Sequence, residues 1–483
     1  RGWAAWGAGA GAALLRNLSV LTASCVLAAC AHTGSQKTPD TPYTASQLGL
    51  AAGQTAAVEA QWWRQLQQPV LDQLMAQALA QAPDLRVAEA RLRQAEAQWR
   101  GSRGEGGLQV GAGISGGSFY LSPKPDASRI GESSSHVFTT AAAMLQASYA
   151  FDFWGKQKNT VQAALGRRTA AALQTEQARL LLAQAVVAQY TQWQRLNQQQ
   201  AVLAKRIAVN EAGQKLLAAR AQAGLIPASA VYPQQQALLQ LQAAQQAVQA
   251  ETARVRHSLA ALSGQAPDAL ANTAPAPLGN TPAVAVGSLK ADILGQRPDI
   301  AAQRALLQSR RYSVAAAKAE FYPNIEIKGL AGFAHIDAFD LLSGNSRFAG
   351  LMPAISLPIF TSGSLQANLA AKNAQYDEQV AVYDQTVLTA LQQAADAVSQ
   401  YQSSGTAVSL QQQAWQVAQK RAAASARRVR AGLDNGIIRL QQEDAALAAH
   451  SDYLDAAAGH QQAWNQLQAA LGGGFQAEQS GDE

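Results

Sequence analysis

Apolar residues recur every seven positions in two stretches of the chain, 241–262 and 380–408. A seven-residue apolar repeat predicts the seam of a coiled coil. Proline, which interrupts helices, is absent between Asp126 and Ile226 and again after Pro358. A helix over 157–222 would be roughly 100 Å long at about 1.5 Å per residue. We therefore expect very long helices that pack side by side with others.

Each long helical stretch ends at a glycine where the chain can reverse. Gly224 and Gly432 suit the left-handed conformation that closes the C-terminus of a helix. Returning helices are therefore predicted near 228–262 and 436–471. Together with these returning helices, four long helices are predicted for the chain.

Several sequence landmarks occur twice, in the same order. Pro83-Asp84-Leu85 recurs as Pro298-Asp299-Ile300, and the segment 220–225 recurs 208 residues later as 428–433. Such self-similarity indicates two copies of one structural unit. The predicted divisions of the mature chain are a first repeat over 60–264, a linker over 265–287, a second repeat over 288–473 and a tail over 474–483.

The middle of each repeat has a different pattern. Four segments of seven to ten residues alternate partly between apolar and polar positions, and most have aromatic ends, as is typical of transmembrane β-strands. The predicted strands are 108–114, 144–153, 324–333 and 351–360. Polar spacers over 120–140 and 334–350 contain the glycine and serine residues of exposed loops.

Four strands are too few to close a membrane barrel, because lipid tolerates no open sheet edge and single-chain barrels need at least about eight strands. Three copies would close twelve strands and twelve long helices around one threefold axis, whereas two copies would give eight strands and a tighter pore. The sequence therefore predicts a mixed α and β membrane protein that forms a homotrimer. Each chain has two tandem structural repeats, four transmembrane β-strands and four long coiled-coil helices.

The N-terminal residues have the order of an export signal. A basic, Ala- and Gly-rich opening precedes an apolar run over 18–27, which is too short to span a membrane as a helix. The sequence Leu27-Ala28-Ala29-Cys30 resembles a bacterial lipobox. We expect removal of a signal peptide over 1–29, acylation of Cys30 with chains such as palmitate, and a lipid-anchored linker over 30–59. A plain signal peptide with an incidental cysteine is the alternative.

The composition argues against several other functions. Only 14% of residues are charged, and the net charge of +6 is dispersed rather than gathered in a basic stripe, which disfavours nucleic-acid binding. The two cysteines, Cys25 and Cys30, leave the rest of the chain without a thiolate site. The six histidines lack metal-ligand spacing, and the glycine-rich pattern over 111–116 precedes no helix pattern. We expect no enzyme activity, no metal and no cofactor.

Five motifs are distributed over almost the whole mature chain. They are Trp62-Trp63, Phe151-Asp152-Phe153-Trp154-Gly155-Lys156, Gln296-Arg297-Pro298-Asp299-Ile300, Phe321-Tyr322-Pro323 and Leu357-Pro358-Ile359-Phe360. In their order and spacing they resemble the TolC family, the outer membrane factors of tripartite efflux pumps, and within it the NodT-type lipoproteins related to OprM. The resemblance implies a trimeric conduit, in which an outer membrane β-barrel continues into an α-helical tunnel in the periplasm.

The resemblance also implies roles for residues at the helix reversals. In the family, charged side chains constrict the periplasmic end, and Asp434 matches an acidic position two residues after the turn glycine. Arg430 and Arg439 are its expected basic neighbours, although charged residues at a turn are often only solvated. A second acidic position of the family has no counterpart, because Gln441 follows Leu440. Residues that match the family's adaptor-docking tips, or that serve only as helix caps, are Gly224, Leu225, Gly432 and Leu433.

Three functions follow as hypotheses. The first is a passive conduit for small molecules in the outer membrane, with a large periplasmic part that works with an adaptor protein and an inner-membrane transporter. The second is the exit duct of a type I protein-secretion system, which the lipobox and the NodT-like motifs disfavour. The third is a structural coiled-coil tether, which would contain no strands. The exported substrate is not encoded here, because selection in such pumps belongs mainly to the transporter.

Overall fold

The computed structural model describes residues 37–48, 58–121, 136–284, 293–335, 341 and 346–475. In chain order the helices and strands of these ranges are α1 (Pro69–Gln81), α2 (Pro83–Glu105), β1 (Gln109–Leu121), β2 (His136–Phe151), α3 (Lys156–Gln222), α4 (Tyr232–Leu262), α5 (Ile293–Gln296), α6 (Pro298–Ala319), β3 (Asn324–His335), β4 (Arg347–Ser356), α7 (Ser364–Arg430) and α8 (Gly436–Ala470). The predicted signal peptide, Cys30 and residues 476–483 lie outside the described residues.

Four long helices occur where the sequence predicts them. α3 and α7 contain 67 residues each, and α4 and α8 contain 31 and 35. α4 begins at Tyr232 rather than at the predicted 228, because Ala228–Val231 form a 3-10 turn. Pro233 then lies in the first turn of α4, where the backbone N–H has no partner within the helix and proline is tolerated.

The four strands form one antiparallel sheet in the order β1-β2-β3-β4. The first hairpin is longer than predicted, because the ladder of β1 and β2 continues to the Leu121–His136 pair, inside the expected loop over 120–140. Polar residues extend this ladder since they bond across it, and the Ser118 and Thr139 hydroxyl oxygens lie 3.3 Å apart. The predicted loop is therefore too long at both ends.

The last strand is shifted from its predicted position. β4 covers Arg347–Ser356, whereas the expected strand is 351–360. The chain leaves the sheet before Pro358, which has no N–H to contribute to a ladder. The sheet itself contradicts the hypothesis of a coiled-coil tether, which requires a chain without strands.

The chain divides into two compact units, and each takes residues from both predicted repeats. Of the described residues, those within Arg1–Thr41, Arg93–Thr169 and Ala305–Ala381 form the sheet unit, and those within Pro42–Leu92, Ala170–Arg304 and Val382–Glu483 form the helical unit. In the sheet unit, α3 and α6 approach closely at Gly166, where an added Cβ would lie 2.8 Å from the Ser309 Cβ. The Ser309 hydroxyl donates to the Ala163 carbonyl at 2.7 Å, which fixes this crossing.

The core of the helical unit is built around buried aromatic residues. Trp62, Trp193, Trp464 and Tyr190 are each at most 2% exposed. The indole Nε1 of Trp62 donates to the Asn465 side-chain oxygen at 3.3 Å, so its polar atom also has a partner. Large buried rings contribute most to the burial energy of a core. The Trp62-Trp63 motif is therefore a packing element of this unit.

Arg297 is a buried cation that holds the end of α8. Only 6% of the residue is exposed. Its guanidinium forms an ion pair of 2.7 Å with Asp299 and donates to the carbonyl of Ala470, the last residue of α8, at 3.1 Å. The last carbonyls of a helix have no partner within it, so this arginine supplies a donor that the helix lacks.

Replacement of Arg297 by Ala should lower the free energy of unfolding by about 3 kcal/mol, because it leaves a carboxylate and a helix-end carbonyl without their donor. The measurement is chemical unfolding of the detergent-extracted protein, followed by the helical circular dichroism signal. Arg64, which is exposed, provides the control, and Arg64→Ala should change stability by less than about 0.5 kcal/mol. Equal effects of the two substitutions would contradict this role.

Candidate functional site: the two-faced sheet and the helix tips

The sheet has an apolar face. Successive residues of a strand point to opposite faces, and directly paired residues of neighbouring strands share a face. The apolar face comprises Val110, Ala112 and Ile114 of β1, Ala143, Leu145, Ala147, Tyr149 and Phe151 of β2, Ile325, Ile327, Gly329, Ala331 and Phe333 of β3, and Ala349, Leu351, Pro353 and Ile355 of β4. Ile114 is 86% exposed and Leu351 is 73% exposed. A continuous exposed surface of this kind indicates contact with another apolar phase.

The extent of the apolar face matches a lipid band. On β2 it extends from Phe151 to Ala143, which is about 27 Å along the strand at ~3.4 Å per residue. At the ~40° tilt of barrel strands this length covers roughly 20 Å, most of the ~25 Å apolar band of outer membrane barrels. Polar residues follow at the far end, including Ser118, Thr139 and Arg347. The apolar face thus ends in polar residues, as expected at the edge of a membrane.

The alternate positions of the same strands form a polar face. Its polar side chains belong to Gln109, Ser115, Thr140, Gln146, Ser148, Asn324, Glu326, Lys328 and Ser356. The Lys328 ammonium and the Glu326 carboxylate lie 2.9 Å apart and form an ion pair on this face. Amides, hydroxyls and a paired charge remain stable in contact with water. Apolar Met144, Leu330 and Met352 lie on the same face, so the two faces of the sheet differ in polarity although neither is uniform.

Aromatic residues gather at one end of the sheet. Trp154, just after β2, stacks on Tyr322 with ring centroids 4.8 Å apart, and its Nε1 donates to the Pro323 carbonyl at 2.8 Å. Phe151 and Phe153 stack beside each other at 5.7 Å. Rings with a polar tip favour the boundary between lipid and water. The fold thus brings together two motifs that are far apart in sequence.

The two helix reversals have the same geometry. Gly224 and Gly432 adopt φ values of 69° and 72°, in the left-handed region that favours glycine. Leu225 N–H donates to the Arg220 carbonyl at 2.9 Å, and Leu433 N–H donates in the same way to the Arg428 carbonyl. These bonds form Schellman caps, which leave Leu225 and Leu433 about two-thirds exposed (67% and 66%). Each tip therefore presents one apolar side chain to its surroundings.

Asp434 pairs with Arg428, across the turn of the second tip. The Arg428 Nε donates to the Asp434 carboxylate at 2.7 Å, and this hydrogen bond raises the pKa of Arg428. Within one chain, Asp434 therefore pairs with Arg428 and not with the expected Arg430 or Arg439. Arg430 instead donates to the Ala426 carbonyl at 3.2 Å, along its own helix.

Arg439 is also occupied within its own helix. It forms an ion pair of 2.9 Å with Glu443, one turn further along α8. The sequence alone does not identify Arg428 as the partner of Asp434, because the pairing depends on the Schellman turn that directs the two side chains toward each other. The structure therefore brings together Asp434 and the tip, but separates Asp434 from Arg430 and Arg439. The predicted constriction by these residues stays a prediction.

α8 contacts α3 of the helical unit through charged pairs. Arg206 makes two bonds to the Asp444 carboxylate, at 3.0 and 3.2 Å, and Arg195 donates to Asp455 at 2.7 Å. The pairs are separated by the same number of residues on both helices, which run antiparallel. A partly buried, two-bonded arginine pair is strong compared with an exposed one. These pairs fix the register of α8 on α3.

α8 contacts α7 through histidine–aromatic stacks. His450 stacks on Trp415 with centroids 4.1 Å apart, and His460 stacks on Tyr401 at 4.8 Å. The Ser404 hydroxyl lies 2.9 Å from His460 Nδ1. Burial lowers the pKa of both histidines, and the positive charge of Lys205 lowers that of His450 further. One seam of α8 is therefore titratable, and sequence spacing alone did not reveal it.

Within the described ranges, no group of three or more His, Cys, Asp or Glu residues is arranged to hold a metal ion. None of the helices in those ranges is sufficiently long and apolar to cross a membrane.

Comparison with known proteins adds a family match. The chain matches the outer membrane efflux protein family over residues 74–265 and 289–473. It is 28% identical over 390 residues to the multidrug resistance outer membrane protein MdtP of Escherichia coli, a match that covers 78% of this chain and 79% of the relative. It is 30% identical over 380 residues to the fusaric acid resistance protein FusA of Burkholderia cepacia, covering 74% of this chain and 69% of the relative.

A solved structure has the same fold. The outer membrane protein VceC of Vibrio cholerae superposes with a TM-score of 0.76 at 27% sequence identity. The match covers 87% of this chain and 100% of that chain.

The two stacked histidines should make stability depend on pH. Because their pKa values are lowered in the folded state, folding is favoured fully above about pH 6.5, the ordinary histidine pKa, and loses this contribution as the pH falls below it. Thermal unfolding of the His450→Gln, His460→Gln double variant should therefore depend less on pH between 8 and 5 than that of the wild type.

His257 is exposed on α4 and provides the matched control. A His257→Gln variant should retain the full pH dependence of the wild type. If the double variant retains the pH dependence as well, the histidine stacks are not the source of that dependence.

Proposed function

The chain belongs to the outer membrane efflux protein family, and on that premise we propose that three copies form a passive channel through the outer membrane. The chain is the outer membrane component of an efflux system. In the proposed channel the apolar face contacts lipid and the polar face lines an aqueous pore. The long helices continue the conduit into the periplasm. The observation that carries this proposal is that one face of the sheet is apolar from Leu145 to Phe151 on β2 and at the positions paired with them on the other strands, whereas Gln146, Glu326 and Lys328 lie on the opposite face.

The open edges of the sheet support the threefold assembly. Among the described residues, β1 and β4 each have one neighbouring strand, so one edge of each is unpaired. In lipid an unpaired backbone group costs several kcal/mol, and only a closed barrel removes every edge. Three copies supply twelve strands, which gives a pore wider than that of an eight-stranded barrel filled by its own side chains.

The cargo and the partners follow from the relatives. One relative is named for multidrug resistance and another for fusaric acid resistance, so we infer that this chain exports small toxic molecules. A passive channel performs no work, and an inner-membrane transporter with a periplasmic adaptor would supply energy and substrate. The adaptor would contact the tips at Gly224, Leu225, Gly432 and Leu433. Attachment of lipid to Cys30 belongs to the same proposal.

Neighbouring residues on opposite faces of β2 test the proposal. A Lys at Leu145, on the apolar face, would place a charge in lipid at about 2–4 kcal/mol per copy, so Leu145→Lys should strongly reduce insertion into the outer membrane. A Lys at Gln146, on the polar face, should be tolerated. Membrane fractionation and native mass spectrometry, with threefold species expected, provide the measurement. Equal loss in both variants, or greater loss for Gln146→Lys, would contradict the assignment of faces.

Substitutions in the Asp434–Arg428 ion pair test whether it constricts the second tip. If it holds the tip closed, Asp434→Ala and Arg428→Ala should each raise single-channel conductance in planar bilayers. The double variant should add little to either, because both changes break one pair. If the pair is only a solvated turn contact, all three variants would conduct like the wild type. An increase confined to Leu433→Ala would assign the closure to apolar packing.

A further inference from the structure

The helices of the sheet unit form a layer with α2 and α7 at its two margins. Three contacts within this unit define the order of the layer: Glu96 of α2 with Arg168 of α3 at 3.3 Å, Ala163 of α3 with Ser309 of α6 at 2.7 Å, and Glu320, directly after α6, with Asn368 of α7 at 2.8 Å. The order is therefore α2-α3-α6-α7. Among the described residues, each marginal helix thus has one neighbouring helix of the layer, and α7 also contacts the segment 37–40, where the Asp40 N–H donates to the Asp377 carboxylate at 2.9 Å.

Both marginal helices expose small residues at helical spacing. The exposed stripe of α7 consists of Ala367, Ala371, Ala374, Glu378 and Ala381. The exposed stripe of α2 consists of Ala97, Gly101 and Gly104, and an added Cβ at either glycine would meet no atom within 4 Å. Residues three and four apart lie on one face of a helix, so each stripe is a continuous surface. Small side chains allow another helix to approach closely.

Charged residues lie in both surfaces, and on α2 they are the exposed Arg93 and Arg100, which are spaced three or four residues from Ala97. Glu378 is the single charged residue of the α7 stripe, and Arg100 lies beside Gly101 on α2, exposed. Neither residue has a hydrogen-bond or ion-pair partner in the part of the chain that the structure describes. The two surfaces are thus complementary in charge as well as in size.

The contacts across the layer put Arg100 and Glu378 at one height. Adjacent helices of the layer run antiparallel. At a given height, residue numbers therefore rise along one helix as they fall along its neighbour. Through the three contacts above and the Lys156–Glu320 ion pair at 3.1 Å, Arg100 corresponds to 308–312 in α6 and to 376–380 in α7. Rotation about a symmetry axis changes no height. When α7 of a neighbouring copy packs beside α2, Glu378 therefore lies at the same height along the axis as Arg100.

We propose that Arg100 of one copy and Glu378 of the next form an ion pair across the seam between α2 and α7. This inference rests on the proposed function, because it requires a ring of copies. The pair fixes the vertical register of neighbouring copies, a register that two smooth stripes of Ala and Gly would leave undefined. A paired charge at one position of an otherwise apolar helix seam specifies register in the same way.

A cysteine pair tests the contact. The Arg100→Cys, Glu378→Cys double variant should form disulfides between chains on mild oxidation and give covalent trimers on a non-reducing gel. Each single variant should give none, which controls for the native Cys25 and Cys30. In the matched control, Glu378 is retained and Gln366→Cys, about three turns away on α7, is combined with Arg100→Cys. It should remain uncross-linked, because a disulfide requires Cα atoms within about 7 Å.

Charge exchange gives a second test. Arg100→Glu or Glu378→Arg alone should reduce the yield of heat-resistant trimers, and the combined exchange should restore it. If native mass spectrometry detects threefold species but the 100–378 pair does not cross-link, the register inference is wrong and the proposed channel stands. Cross-linking of the 100–366 control would also refute the register. Absence of any threefold species would refute the proposed assembly itself.

Discussion

The backbone edges of a four-stranded sheet impose the strongest constraint on this molecule. In the part of the chain that the structure describes, β1 and β4 each leave one side of their hydrogen-bonding groups without a strand partner. An edge of this kind is tolerated in water but is costly in a hydrocarbon phase, and the apolar face exposes side chains such as Ile114 and Leu351 that favour such a phase. A single copy therefore cannot place its apolar side chains in a hydrocarbon phase and also keep the backbone groups of both edge strands hydrogen-bonded.

The helices are also held in place by contacts with their neighbours, but side chains make these contacts. Neighbouring helices in each unit are joined by polar contacts of defined register, such as Arg206 with Asp444 and Ser309 with Ala163. α8 is held on α3 by permanent charges and on α7 by histidines that can be protonated. The two sides of α8 therefore differ in the chemistry that holds them.

Much of the architecture is predictable from the sequence because it rests on periodicity and on residues with special backbone properties. The heptads, the long stretches without proline, and Gly224 and Gly432 predict the long helices and their reversals, because these signals are local. The strand ends were less predictable. Thr139 and Ser118 have the composition of a loop, yet they extend the ladder by bonding across it. The partner of Asp434 and the stack of Trp415 on His450 depend on tertiary register, which one-dimensional patterns do not contain.

Closure of the sheet edges is tested most directly by hydrogen–deuterium exchange of the detergent-extracted protein, resolved to single strands. In antiparallel strands every second amide of β1 and β4 points away from the neighbour within the chain. We expect these outward amides to exchange as slowly as the amides of β2 and β3, because strands of neighbouring copies bind them. Fast exchange confined to the outward amides of β1 and β4 would mean that the edges stay open, and it would contradict the channel described above.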